Sequence, residues 1–325
     1  MKVCIYGAGA IGGWLGVKLA QAGCDVCVVA RGATLEALRR DGLVLAQGDT
    51  RVSVPVRASS EPAELGVQDL VIVAVKAPAL AAVAERIAPL LGPDTVVLTA
   101  MNGVPWWFLQ GGFGGAFAGR QLFAVDPGGA IAQAIPASHV IGGVVHASCS
   151  LDGPAKVRLH FGNGLIVGEP SGEATTRVQA LHALLQKAGF DARLSAQIQK
   201  DVWYKLWGNM TVNPISALTG ATTDLILGDE LVRGFISTVM LEAREIGESL
   251  GIPIAESPED RHAVTRKLGA FKTSMLQDVE AGRAVELDAL VSSVRELGQL
   301  TGVATPFTDA LLGLARLQAR QRGLY

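Results

Sequence analysis

Short apolar runs alternate with helix-like stretches through the first half of the chain, and from about Gln197 apolar residues recur every three or four positions instead. The pattern predicts strands at Lys2–Tyr6, Val26–Ala30, Gly42–Ala46, Arg51–Val56, Asp69–Val75, Thr95–Thr99, Ala155–Phe161 and Leu165–Gly168. Helices are predicted at Trp14–Ala22, Thr34–Arg40 and Pro78–Leu91, and long helices from Gln197 through Arg322. Strands alternating with helices require a parallel sheet with crossover helices, and an all-helical remainder requires a separate core. The boundary falls near Ser195, giving domains 1–195 and 196–325. A glycine-rich stretch, Gly111–Gly119, follows the aromatic cluster Trp106-Trp107-Phe108.

The first strand runs into Gly7-Ala8-Gly9-Ala10-Ile11-Gly12. In such a turn Gly7 permits the tight bend, Gly9 lets backbone approach a pyrophosphate, and Gly12 lets the helix pack close to the strand. The pyrophosphate would sit on the unpaired N–H groups of the helix start. The fold class is therefore α/β: a Rossmann-type dinucleotide-binding domain followed by an all-α domain. After the second strand, where an acidic residue would bind the ribose of NAD, stands Arg31, and no Asp or Glu lies between Val26 and Leu35. Arginine can pair with a 2′-phosphate, so the reading is NADP(H); a solvated arginine just past a strand end is the alternative.

Hydrophobic residues make up 49% of the 325 and charged residues 18%, which sets disorder aside. A net charge of −2 argues against nucleic acid or a membrane surface as partner. Apolar stretches are only strand-length, so no membrane span is expected. Met1 leads straight into the first strand, which leaves no room for a targeting peptide and points to the cytoplasm. Cys24 and Cys27 have redox spacing but run into a strand, and with Cys4 and Cys149 they read as ordinary thiols. The five histidines show no ligand spacing, so no metal is expected.

Arg31, Lys76 and Asn102 stand at strand ends, the positions that line the ligand crevice of such sheets, and a second substrate is expected between the two domains. Lys76 could hold a phosphate or carboxylate, and Asn102 a nicotinamide or a substrate oxygen. Lys205, Asn209 and Asn213 are spaced four apart and form one helical stripe flanked by Trp203, Tyr204 and Trp207. In that company Lys205 is either a desolvated proton donor or a lysine snorkelling out of a core helix. Ser274-x-x-Gln277 has a capping-box pattern, and its hydroxyl could hold a carboxylate or simply cap the helix. Glu286 follows in the next amphipathic run as a partner for a ribose or an amide.

The chain resembles the ketopantoate reductase (2-dehydropantoate 2-reductase) family. The matching pieces are GAGAIGG, Arg31, VKAPAL around Lys76, MNGV around Asn102, the Trp-x-Lys-Leu-x-x-Asn-x-x-x-Asn-Pro segment, and Ser-Met-Leu-Gln-Asp followed by Gly-Arg-x-x-Glu-x-Asp. The resemblance implies NADPH-dependent reduction of a 2-oxo acid, ketopantoate, on the route to pantothenate. It makes Lys205 the proton donor. Asn209, Asn213 and Ser274 become substrate ligands, and Arg31, Lys76, Asn102 and Glu286 cofactor ligands, with Asn102 touching both. The stretch around Cys149 supplies a backbone contact to the cofactor. It implies no nucleic-acid or membrane partner and leaves a homodimer open.

Two departures stand out. Thr223 occupies the place of a further substrate-binding asparagine, and the segment Pro105–Pro136 is long and aromatic. Trp106 and Trp107 either pack beneath the glycine loop or reshape the substrate site. The rival readings are a reductase of another branched or aromatic 2-oxo acid, and a non-catalytic NADP(H)-binding or redox-sensing protein.

Overall fold

The computed structural model describes residues 1–325. The chain divides into two units, residues 1–101 with 130–198, and residues 102–129 with 199–325.

In the first unit the elements are β1 (Lys2–Tyr6), α1 (Ala10–Gln21), β2 (Asp25–Val29), α2 (Gly32–Asp41), β3 (Leu43–Gln47), β4 (Thr50–Val54), β5 (Arg57–Ser59), β6 (Leu70–Val73), α3 (Leu80–Ala84), β7 (Val96–Thr99), α4 (Ala130–Ala134), β8 (Val140–Leu151), β9 (Lys156–Gly168), α5 (Thr176–Lys187) and β10 (Asp191–Leu194). All ten strands belong to one sheet. Its core, in the order β5-β2-β1-β6-β7-β8, is parallel throughout. That is the doubly wound dinucleotide-binding order, with its switch point between β1 and β6.

The sheet continues past β8 through the antiparallel β9 to β3 and β4. Helix α1 consequently packs against β1 and β2 and also against β3, β4, β8 and β9. Its glycines make this possible. A Cβ at Gly13 would stand 2.5 Å from Val157 Cγ2, one at Gly16 2.7 Å from Leu43 Cδ1, and one at Gly12 would collide with the Gly7 carbonyl oxygen. Trp14, fully buried, meets Phe190 edge-on at 4.9 Å between ring centroids.

The second unit contains α6 (Ile198–Thr219), α7 (Thr223–Gly228), α8 (Glu230–Ser249), α9 (Pro258–Arg266), α10 (Ser274–Glu280), a π-helical turn (Asp288–Ser292), α11 (Ser293–Thr301) and α12 (Pro306–Gln321). Helix α6 is its centre and buries Trp203, Leu206, Trp207, Met210 and Ile215. Residues 102–129 join this unit, which corrects the unbroken 1–195 domain expected from sequence. The cause is visible in their bonds. Val104 N donates to Ala289 O at 2.8 Å, Phe123 N and Ala124 N donate to the Glu296 carboxylate at 2.7 and 2.8 Å, and Phe108 packs on Trp203. No helix is long and apolar enough to cross a membrane.

Several elements differ from the pattern-based expectation. The Pro78–Leu91 helix is broken into two 3₁₀ turns around the short α3, because Pro89 lacks the N–H that a continuous helix needs. Strands β8 and β10 carry too little alternation to stand out, and α5 is not among the expected helices although its buried Val178, Leu181 and Leu185 have helical spacing. The two strands expected at 155–168 are one, bent at Gly162 (φ +80°), where the ladder with β8 slips by a residue.

The glycine contacts give a paired expectation. Gly12→Ala destabilises the protein by about 1–3 kcal/mol, because backbone has to move. Gly234→Ala on α8, where a Cβ meets nothing within 4 Å, stabilises it by about 0.5–1 kcal/mol. Urea unfolding of the two variants checks both signs; destabilisation at Gly234 or neutrality at Gly12 contradicts the packing described.

Candidate active site

In the first unit the turn after β1 is tied to the sheet on both sides. Gly7 N donates to Val29 O at 3.2 Å, and Ala74 N donates to Tyr6 O at 3.0 Å. Gly7 has φ +101°, and a Cβ there would press on Val75 Cγ1 at 2.7 Å. At Gly9, the N-cap of α1, a Cβ would meet nothing within 4 Å, so this backbone is open to an approaching group. Ala8 is buried, and Ala10 and Ile11 are half-buried. No side chain caps α1 and no acidic residue occupies its first turn. The unpaired N–H groups and open backbone fit a pyrophosphate.

Arg31 is exposed at the N-cap of α2, and its guanidinium makes no hydrogen bond or ion pair within the chain. Its charge acts on the Tyr6 hydroxyl, opposing the burial that raises the Tyr6 pKa. Lys76 is half-buried beyond β6, where it caps the turn Ala77–Ala79. Cys149 lies on β8 opposite Leu159, and burial pushes its thiol up to about 12, so it stays protonated.

In the second unit Lys205 is half-buried on α6, and its Nζ donates to Asn102 Oδ1 at 2.8 Å. Burial pulls the Lys205 pKa down to about 8; the nearby Glu286 carboxylate opposes this and Arg261 adds to it. Glu286 is itself buried, just before the π-helical turn. The structure thus brings Asn102, Lys205 and Glu286 together within one unit. Asn102 is fixed by its neighbour. Gly103 has φ +84°, and a Cβ there would lie 2.6 Å from the Ala289 carbonyl carbon.

Asn209 and Asn213 continue the Lys205 stripe, and neither carboxamide hydrogen-bonds within the chain. Ser274 is exposed, its hydroxyl likewise without a protein partner. It is not the helix cap. Thr273 caps α10, accepting from Leu276 N at 3.2 Å, and Gln277 Nε2 donates instead to Lys272 O. Thr223 is buried and committed: its Oγ1 donates to Gly269 O at 2.6 Å and accepts from Phe271 N at 3.3 Å. It therefore holds the 269–271 loop rather than offering a free hydroxyl in place of an asparagine. Trp106 and Trp107 are 2% and 1% exposed, so of their two expected roles packing is the observed one.

A residue that pattern reading passes over is Arg261. Its guanidinium lies over Gly208 of α6 and Cζ is 5.4 Å from the Tyr204 ring centroid. The only trace in the sequence is a glycine placed among the bulky residues of the Lys205 helix. No group of three or more His, Cys, Asp or Glu could hold a metal ion.

Two family models match the chain: ketopantoate reductase PanE/ApbA over residues 3–106, and ketopantoate reductase PanE/ApbA C terminal over residues 197–319. A curated 2-dehydropantoate 2-reductase from Mesorhizobium japonicum is 49% identical over 326 residues, covering 100% of both chains. A crystallised relative from Ralstonia solanacearum MolK2 is 55% identical with a TM-score of 0.95, covering 100% of this chain and 99% of that one. The crystal structure of 2-dehydropantoate 2-reductase from Geobacter metallireducens GS-15 is 28% identical with a TM-score of 0.86, over 98% of this chain and 100% of that one. A full-length relative at such identity leaves no part of the architecture unmatched: the chain belongs to the ketopantoate reductase family and is an oxidoreductase acting on a CH–OH group.

Proposed function

We propose that the protein reduces 2-dehydropantoate to pantoate with NADPH, a step toward pantothenate, and that Lys205 is the proton donor. The observation that carries this reading is the Lys205–Asn102 hydrogen bond of 2.8 Å beside two uncommitted carboxamides on the same helix. A 2-oxo acid offers such a site a carbonyl to protonate and polar ends to hold. The name carried by the full-length Mesorhizobium relative supports the substrate.

Bound NADPH supplies the hydride. The Gly7–Gly12 turn and the start of α1 would hold its pyrophosphate and Arg31 its 2′-phosphate, with Lys76 and the backbone at Cys149 as further contacts. Asn102 and Glu286 are proposed as further cofactor ligands. Lys205, as ammonium, donates a hydrogen bond to the substrate carbonyl and passes its proton to the developing alkoxide. Asn102 orients Nζ, since one of the three ammonium hydrogens is occupied by Oδ1. Asn209, Asn213 and Ser274 hold the substrate's hydroxyl and carboxylate ends. Thr223 acts beneath them by fixing the 269–271 loop.

Removing a proton donor costs rate while leaving nucleotide binding to other residues. Lys205→Ala is expected to lower kcat by about 10²–10⁴-fold, with NADPH affinity within twofold of the parent. Steady-state kinetics and a fluorescence titration test this; retention of most of kcat assigns the acid elsewhere.

The depressed Lys205 pKa has two consequences of opposite sign. The ammonium form does the work, so kcat falls as pH rises through about 8. Stability moves the other way. The folded state gives up this proton more readily than the unfolded chain, so burial of the charge costs most below pH 8, and the cost is relieved between about 8 and the ordinary lysine value of 10.5. Relative to the parent, Lys205→Met should therefore be most favourable at pH 7, with this relative gain shrinking toward pH 10.5. A gain that is flat with pH contradicts the assignment.

Arg31 is expected to favour NADPH over NADH by about 1–3 kcal/mol, a charge-assisted phosphate contact. Arg31→Ala should abolish the difference. Equal affinities for both nucleotides in the parent protein would remove Arg31 from this role.

A further inference from the structure

Arg261 is a charged group of the second unit that the mechanism above leaves unused. It is the fourth residue of α9, whose start is fixed by a reciprocal cap: Asp260 N donates to Ser257 Oγ at 3.2 Å, and Ser257 N donates to Asp260 Oδ2 at 2.9 Å. The side chain thus leaves a rigid helix start. It runs onto α6, where a Cβ at Gly208 would stand 2.8 Å from both Nε and Nη2 and 3.2 Å from Cζ. Tyr204 and Lys205 precede Gly208 by four and three residues and so share its face of the helix. The guanidinium therefore rests on the turn of α6 that carries Lys205 and leads into Asn209.

This cation has no counter-ion. It forms no salt bridge and no hydrogen bond, and its Nε is buried without a partner. The acids of its own helix are engaged elsewhere: Glu259 pairs with Arg266, and Asp260 serves the cap. Glu256 acts on Arg261 only from a distance, without an ion pair. Tyr204 offers the face of its ring, which attracts a cation but satisfies none of the in-plane N–H donors. An uncompensated, partly buried guanidinium is costly, and an anion arriving in its plane would offset that cost.

We propose that Arg261 is a specificity-determining residue that receives the carboxylate of the substrate beside the Lys205 ammonium. The proposal rests on the 2-oxo acid reading given above. The chemistry matches. A 2-oxo acid carries a carboxylate and a carbonyl on adjacent carbons; Arg261 of α9, resting on Gly208, offers a planar two-donor fork, and Lys205 of α6 a point-charge donor. The fork suits the carboxylate and the ammonium suits the carbonyl oxygen. Ser274 adds a neutral donor; the charge match comes from Arg261. Gly208 is part of the device, because a side chain at that position would displace the guanidinium from the helix.

The test compares 2-dehydropantoate with its uncharged amide in the parent enzyme and in Arg261→Gln, Arg261→Lys and Gly208→Ala, at saturating NADPH. In the parent, kcat/KM favours the acid. In Arg261→Gln this preference should fall by about 10–100-fold, mostly through a higher KM for the acid, the range for a lost charge-assisted hydrogen bond. Arg261→Lys should recover part of it, keeping the charge without the fork. Gly208→Ala, which keeps the charge but displaces it, should also lower the preference. If Arg261→Gln does not fold, the other two variants carry the same test. An unchanged preference in the folded variants overturns the proposal, as does a selective rise in the KM for NADPH, which would make the guanidinium a phosphate ligand. A parent protein that reduces no 2-oxo acid overturns the functional reading itself. A parent that reduces the acid while its variants keep their preference overturns only the role of Arg261.

Discussion

The charge on Lys205 is the constraint around which the second unit is arranged. A desolvated ammonium needs an acceptor that does not move. Asn102 provides it, and Asn102 is held because Gly103 adopts a left-handed conformation against Ala289. The Ala289 carbonyl lies in the π-helical turn and accepts from both Val104 N and Ser293 Oγ. A wide turn in that helix is thus tied to the loop that orients the ammonium, consistent with the tendency of π-bulges to occur at functional sites. Glu286, immediately before the turn, supplies the compensating negative charge. A dependence can be traced from a backbone contact at Gly103, through one carboxamide, to the acidity of one lysine.

The first unit solves a different problem with the same residue type. A dinucleotide turn needs bare backbone at the helix start, and a sheet that curls past β8 to reach β3 needs a helix thin enough to be enclosed. Gly9 meets the first need and Gly13 and Gly16 the second, while Gly12 serves both because it packs on the turn itself. The conformational freedom that glycine costs a helix is offset by the apolar contacts these approaches create, with Val157, Leu43 and Ile5 resting almost on the helix backbone.

Much of this was legible in the sequence because it depends on local spacing. The glycine turn, the strand ends and the four-residue stripe on α6 are short-range patterns, and each produces a physical arrangement that follows from helix or strand geometry. What was not legible depends on residues far apart. Nothing local to 102–129 indicates that its backbone bonds to residues 289 and 296 and so leaves the first unit. The Thr273 cap was misread by one residue because Ser274 matches the same pattern, and only the observed bond to Leu276 N separates them. The position of Thr223 relative to Asn213 is legible in the sequence, but not that its hydroxyl is already engaged by Gly269 and Phe271. Arg261 carries no motif at all; its side chain reaches α6 where Gly208 leaves room.

The charge balance around α6 connects these findings to the reaction. Arg261 of α9 rests on the α6 turn that carries Lys205, where its charge helps to lower the Lys205 pKa while Glu286 opposes it. A ligand bearing one negative charge would relieve both cations at once. Its arrival would raise the Lys205 pKa from about 8, since an added anion favours the charged form of a lysine. The proton would therefore be secured on Nζ when the substrate is in place, and released only as the carbonyl oxygen becomes an alkoxide, a far stronger base than the carboxylate that drew the charge. A neutral ligand would leave the lysine partly deprotonated at slightly alkaline pH. On the proposed reading, substrate charge would do two things with one contact: select the acid over uncharged analogues, and load the proposed proton donor for the step that follows.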